Sequence, residues 1–332
     1  MKRAKQVYSL SCLGKFDEAH LPVEKASYTL MTIIRVFFFV DKYFMDYNYI
    51  EIPKTNFPTL CSDYPNDSKI EVRMFTVADI KLISRVNEFN LEYIIDELMQ
   101  RCCKFTNISY NDLYIADRDY ILMFLKSGSF ITANGFDIKL DKCIHCNKPI
   151  TISLAIKDLE LDVCTETSKI IDINGIEVKC QLPKVGQKLV KFKDIELEKI
   201  INYTNLAEIF GGVNEAISTI LSWNAYDYVK LANAVNEMKC GLKEELETVC
   251  PLCREPITIH WHFLETDLLN KIPLEQLFEN ILSISKYANF QIDDSLAYGE
   301  VEVMCQVVNK MIEEDNKALN ESEGQQTLYS GA

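Results

Sequence analysis

The chain lacks any apolar run long enough to cross a bilayer. A spanning helix needs roughly 18 or more consecutive apolar residues. The most apolar stretch here, Ile33–Val40, is interrupted by Arg35 and closed by Asp41. It reads as a buried strand or a short core segment. The basic start, Met1-Lys2-Arg3-Ala4-Lys5, is not followed between Gln6 and His20 by the apolar run of a signal peptide. Positive charge is also in deficit. Lys and Arg number 35 against 49 Asp and Glu, a formal net charge of −14. Such a surface repels phosphate backbones and anionic lipid, so neither nucleic acid nor membrane is an expected partner. The sequence has no G-x-x-x-x-G-K-[ST], no G-x-S-x-G and no H-E-x-x-H. No nucleophile, base and orienting group can be named together. The expectation is a protein that is not an enzyme and has no small-molecule substrate.

What the chain does have is core material. Hydrophobic residues make up 48% of its 332 positions, which argues against disorder. At roughly 150 residues per domain, the length fits one large unit or two to three small ones. The twelve cysteines are scattered, with two tight pairs at metal-ligand spacing. That usage suits a reducing cytosol, where thiolates stay free for metal.

The expected fold class is α+β, in five segments. Residues 1–65 form an aromatic-rich arm with β character, and Ile52-Pro53-Lys54-Thr55-Asn56-Phe57-Pro58 is barred from regular helix by its two prolines. Residues 66–142 are mainly helical. Thr76-Val77-Ala78-Asp79 has the form of a capped helix start. Ile80, Ile83 and Val86, then Leu91, Ile94, Ile95, Leu98 and Cys102, recur at helical spacing. A further helix opens near Asp117 and ends at Ser127-Gly128-Ser129. Residues 143–265 hold a split β module with a β-rich insertion (150–200) and a helical one (205–240). Lys188–Phe192 is expected as a strand, and Asn174-Gly175 as a hairpin turn. Residues 266–319 are helical, and 320–332 are a polar, disordered tail.

The strongest signal is an internal repeat. Cys143-Ile144-His145-Cys146-Asn147-Lys148-Pro149-Ile150-Thr151-Ile152 aligns without gaps on Cys250-Pro251-Leu252-Cys253-Arg254-Glu255-Pro256-Ile257-Thr258-Ile259. Both read C-x-x-C-x-x-P-I-T-I. A C-x-x-C turn sets two sulfurs on one side, about 2.3 Å from a metal, with amides free to bond the thiolates. The Pro-Ile-Thr-Ile that follows is an outgoing strand. Two such knuckles face to face give a zinc-ribbon-like site whose ligands are Cys143, Cys146, Cys250 and Cys253. Four thiolates close the coordination sphere, so the ion would be structural. Two readings stand beside this one: hairpins that keep the shape without metal, and a redox dithiol.

Weaker candidates have plainer readings. His145 is a loop residue. His260 and His262 share one strand face. Gly211-Gly212 is a helix boundary or a tight contact. Asp293-Asp294 and Glu313-Glu314-Asp315 are solvated charge. Cys102-Cys103 and the cysteines at 12, 61, 164, 180, 240 and 305 are small core residues.

Taken in order, these features resemble the baseplate hub and hub-assembly family of contractile-tailed, T-even-like bacteriophages. Three groups of residues carry the resemblance. The first is Ile52-Pro53, Phe57-Pro58 and the strand Ile70-Glu71-Val72-Arg73. The second is the helix start Phe75-Thr76-Val77-Ala78-Asp79, the unit Asp117 to Leu125 ending in Ser127-Gly128-Ser129, then Cys143, Cys146 and Asp158-Leu159-Glu160-Leu161. The third is a late helix ending at Gly241, then Cys250-Pro251-Leu252-Cys253 and Trp261-His262-Phe263. Roughly residues 50–265 are covered. The resemblance implies a non-enzymatic subunit or assembly factor of the tail hub, with other tail proteins as partners. It would be found in the host cytoplasm during assembly and in the tail baseplate of the virion. The residues themselves leave two alternatives: a zinc-stapled enzyme whose chemistry lies in a pocket the sequence does not reveal, and a nucleic-acid-binding zinc ribbon of the viral transcription factor type. That reading would need a basic surface from Lys148, Lys157, Lys184, Lys188, Lys191, Lys193 and Arg254.

Overall fold

The computed structural model describes residues 49–87, 89–130, 135–155, 159–164, 166–243, 245–260 and 274–329. Most of the aromatic arm, the Ile33–Val40 stretch, Asp158, and Trp261 with His262 lie outside the described residues. The fold class is mixed α+β, with nine helices and small antiparallel sheets among the described residues.

Three short strands open it: β1 (Ile50–Glu51), β2 (Lys69–Val72) and β3 (Cys103–Thr106), ordered β1-β2-β3. β2 presents Ile70 and Val72 to the core. Between β1 and β2 the Pro-bounded segment makes a single turn of 3₁₀ helix at Lys54–Asn56. Ile52, Phe57 and Tyr64 are buried here. The described end of the expected arm is therefore core, and Phe57 meets Tyr120 edge to face at 5.6 Å.

Helix α1 (Val77–Ile83) starts as read from sequence. The Thr76 side chain and the Asp79 carboxylate form a reciprocal capping box, and Arg73 bonds Asp79 at 2.7 Å. α2 (Leu91–Cys102) buries Ile94, Ile95, Leu98, Met99 and Cys102 on one stripe. α3 (Ile115–Ser129) is buried on most sides, with Ile121, Leu122 and Leu125 fully enclosed. It is the centre of the core.

Residues β4 (Gly135–Leu140) and β5 (Ile150–Ala155) pair around the first knuckle. A two-residue strand β6 (Leu161–Asp162) follows. Then β7 (Ser168–Ile173) and β8 (Ile176–Gln181) form a hairpin about Asn174-Gly175, whose φ angles of 52° and 78° suit a type I′ turn. Lys188–Phe192 forms no strand, contrary to expectation. Its pairing is taken by a side chain: Asn202 donates to the Val190 carbonyl and accepts from the Val190 amide, both at 2.9 Å. Helix α4 (Ile195–Tyr203) also begins inside the stretch expected to be β-rich. Asp194 caps it by accepting from the Leu197 amide.

Helices α5 (Leu206–Ile209), α6 (Val213–Ser222) and α7 (Ala225–Asn236) fill the helical insertion. The Gly211-Gly212 pair separates α5 from α6. Strand β9 (Gly241–Leu242) pairs with β6. β10 (Glu245–Val249) and β11 (Pro256–His260) then frame the second knuckle.

Two helices close the described chain, α8 (Leu274–Ala288) and α9 (Tyr298–Tyr329). They dock onto the first part of the fold. The amides of Val77 and Ala78 donate to Leu296 and Asp294 at 3.0 Å, and Tyr298 packs on Phe130 at 5.2 Å. α9 continues to Tyr329, into the segment expected to be a disordered tail. Its Glu- and Gln-rich sequence contains no proline to stop it. No described helix is long and apolar enough to cross a membrane.

Candidate metal centre

Sequence identity between the knuckles becomes identity of backbone. In the first, the Cys143 amide donates to the Lys148 carbonyl and the Asn147 amide donates to the Cys143 carbonyl. In the second, the Cys250 amide donates to Glu255 and the Arg254 amide to Cys250. All four bonds are 2.9 Å. Asn147 and Arg254, at equivalent places, both take left-handed backbone with φ of 57° and 64°. That conformation is uncommon for a residue with a Cβ. Its appearance at both positions marks one repeated turn. Strand pairs Leu140↔Ile150 and Val249↔Pro256 hold the two mouths closed.

The knuckles face each other across the site. The Cys143 sulfur lies 3.9 Å from that of Cys253, and the Cys146 sulfur 4.0 Å from that of Cys250. The first cysteine of each knuckle thus opposes the second of the other. All four sulfurs lie within 4.8 Å of one another. A tetrahedron of sulfurs about 2.3 Å from a central zinc has edges of about 3.8 Å. The observed spacing is close to that figure. The donor set fits a four-thiolate ion in both number and shape. Cys143 and Cys250 are buried, while Cys146 and Cys253 are half-buried.

The local electrostatics favour thiolate at one corner. The Cys253 amide, helped by that of Leu252, donates to the Cys250 sulfur. Together they outweigh desolvation and bring that thiol down to about 6. Cys253 goes the other way. Although the Glu255 amide favours its thiolate, burial and the three neighbouring thiols push it up to about 12. Four sulfurs this close do not all ionise without a cation among them.

His145 is a loop residue, as read from sequence, and it also has a partner. Its Nε2 lies 3.0 Å from the Pro256 carbonyl, which can only accept, so the ring donates across from one knuckle to the other. His145→Ala should leave metal content unchanged and lower the melting temperature by about 1 °C, as expected for losing roughly 0.5–1 kcal/mol of a partly exposed hydrogen bond. Metal analysis and a thermal melt of the variant check this.

The other candidates do not assemble. Among the described residues the four cysteines are the one metal-competent group. Asp294 pairs with Lys81 at 2.5 Å, and Asp293 accepts from the Ser295 amide at 2.7 Å. Glu313, Glu314 and Asp315 are exposed.

In sequence Asp117 is only a helix opener. It is in fact fully buried and accepts three hydrogen bonds: from the Thr59 amide at 3.1 Å, the Thr59 hydroxyl at 2.5 Å and the Tyr64 hydroxyl at 2.6 Å. Burial raises its carboxyl above the ordinary range against the pull of these donors. The Tyr64 oxygen in turn accepts from the Tyr114 amide at 2.9 Å.

Comparison with known proteins gives one family. The family described as T4 bacteriophage base plate protein matches the chain over residues 55–256. That span contains both knuckles and everything between them. No curated protein and no solved structure gives a significant match.

Proposed function

The chain belongs to the T4 bacteriophage base plate protein family, and from that premise we propose that it is a non-enzymatic tail protein, a baseplate hub subunit or hub-assembly factor. Its ligands for one structural zinc ion are Cys143, Cys146, Cys250 and Cys253. The observation that carries this reading is the crossed sulfur set, two cysteines from each knuckle within 4.8 Å. Zinc held by four thiolates has no open position for water or substrate, so its chemistry there is to fold and hold. The split ribbon of residues 143–265 then clamps both ends of the β-rich and helical insertion. Partners are other tail proteins. The place of action is the host cytoplasm during assembly and then the virion tail.

The hub role rests on the order of motifs across roughly residues 50–265, most of which lie within the matched span. The nucleic-acid alternative has less support. The chain is acidic overall, and Lys243 beside the second hairpin is already paired with Glu160 at 2.7 Å. Affinity capture of the tagged chain from infected cells tests both readings. Recovery of baseplate hub proteins supports the proposal. Recovery of no tail protein overturns it, as does retention on random DNA that weakens steeply with added salt.

A further inference from the structure

We propose that Cys164 and Cys240 are a redox pair that closes into a disulfide on contact with a small disulfide such as oxidised glutathione. In sequence both look like isolated small core residues. Yet their sulfurs lie 2.7 Å apart, much nearer than the 3.9 and 4.0 Å of the knuckle pairs. The knuckle spacing leaves room for an ion between sulfurs. The Cys164–Cys240 spacing does not, and sulfurs this close are placed for a direct bond.

The backbone brings them together by construction. β6 and β9 pair with Leu161 opposite Leu242 and Asp162 opposite Gly241. Continuing that ladder one step sets Val163 opposite Cys240, which leaves Cys164 diagonally adjacent. Each side is pinned. The Cys164 amide donates to the Pro58 carbonyl at 2.9 Å. Gly241, at φ 111°, lies so close over α3 that an added Cβ would sit 3.2 Å from that of Ala116. Both thiols are half-buried, whereas Cys61, Cys102, Cys103 and Cys180 are buried. A small oxidant can reach the pair.

The thiols are also unequal. The hydrogen bond between the two sulfurs holds the Cys164 thiol below its ordinary value and pushes that of Cys240 up. Cys164 is therefore the attacking thiolate. It displaces one glutathione thiol from oxidised glutathione and forms a mixed disulfide. Cys240 then loses its proton, attacks the Cys164 sulfur and releases the second glutathione. The protein gives up two electrons and two protons, and one disulfide becomes two thiols. The new bond ties positions 76 residues apart and encloses the β7–β8 hairpin and the insertion helices.

The test uses the full-length, zinc-loaded protein. Reduced protein is treated with oxidised glutathione, free thiols are blocked with a maleimide, and the product is mapped by mass spectrometry. The expected result is loss of two hydrogens with one cross-linked peptide pair, Cys164 to Cys240. Oxidised protein should melt several degrees above reduced protein, since a cross-link of this span restricts the unfolded chain. That difference should vanish in Cys164→Ser, where Cys240 can at most carry a glutathione. A cross-link between other cysteines, a mixed disulfide that never resolves in the wild type, or both thiols recovered as maleimide adducts would overturn the proposal. The wild-type map decides even if the variant fails to fold.

Discussion

The double variant Cys250→Ser/Cys253→Ser should contain no zinc and melt roughly 6–8 °C below a wild type carrying about one zinc per chain. Each knuckle supplies two ligands, so removing one knuckle's pair leaves two thiolates, too few for a closed structural site. The metal bond crosses 104 positions between Cys146 and Cys250. By the chain-entropy argument, a cross-link of that span is worth about 4–5 kcal/mol. For a chain of 332 residues each kcal/mol shifts the melting temperature by roughly 1.5 °C. Because the knuckles share one geometry, Cys143→Ser/Cys146→Ser should behave the same way. Combining all four substitutions should add little, since the ion is already gone. Metal analysis, melts and chelator titration measure this directly. A wild type that purifies without metal and melts like both variants would favour hairpins that keep the shape alone. Thiols that cycle reversibly, without metal, would favour the dithiol.

The knuckles were legible because their chemistry is local and doubled. The spacing of Cys143 and Cys146, repeated at Cys250 and Cys253 with the same Pro-Ile-Thr-Ile strand, fixes the turn, the outgoing strand and the facing pair. The Thr76–Asp79 capping box and the Asn174-Gly175 hairpin were legible for the same reason: each is settled within four residues. What was not legible depends on distant partners. Lys188–Phe192 looks like a strand, but its neighbour is the Asn202 side chain. α4 had a readable cap in Asp194, yet it directly follows Lys188–Phe192, which reads as the last strand of the β-rich insertion. Cys164 and Cys240 look like any scattered cysteines until the β6–β9 ladder aligns them. Asp117 looks like a helix-opening acid, because the groups that bond it lie more than fifty positions away.

That distant bonding gives Asp117→Ala an unusually large expected effect for a residue outside the metal centre. The carboxylate ties the Pro58–Tyr64 loop to α3, the central helix. Removing it strands the Thr59 amide and the hydroxyls of Thr59 and Tyr64 inside the protein. Each stranded donor costs about 1 kcal/mol or more. Relief of the buried charge offsets part of this. The net loss should be about 2–4 kcal/mol, a fall in melting temperature of roughly 3–6 °C. Tyr64→Phe removes one of the three donors to Asp117, along with the acceptor for the Tyr114 amide, and should cost less, about 1–2 kcal/mol. The effect also has a pH signature. Burial raises the carboxyl's pKa in the folded protein, so the folded state binds this proton more tightly than the unfolded chain. The contribution of Asp117 to stability is then full below its unfolded pKa of about 3.9 and declines as pH rises through the raised folded value. The gap between wild type and Asp117→Ala should be widest in acid and narrow toward neutral pH. Denaturant titrations of both proteins across that range measure the gap. One that widened with rising pH would mean that the three donors, and not burial, set the charge state of Asp117.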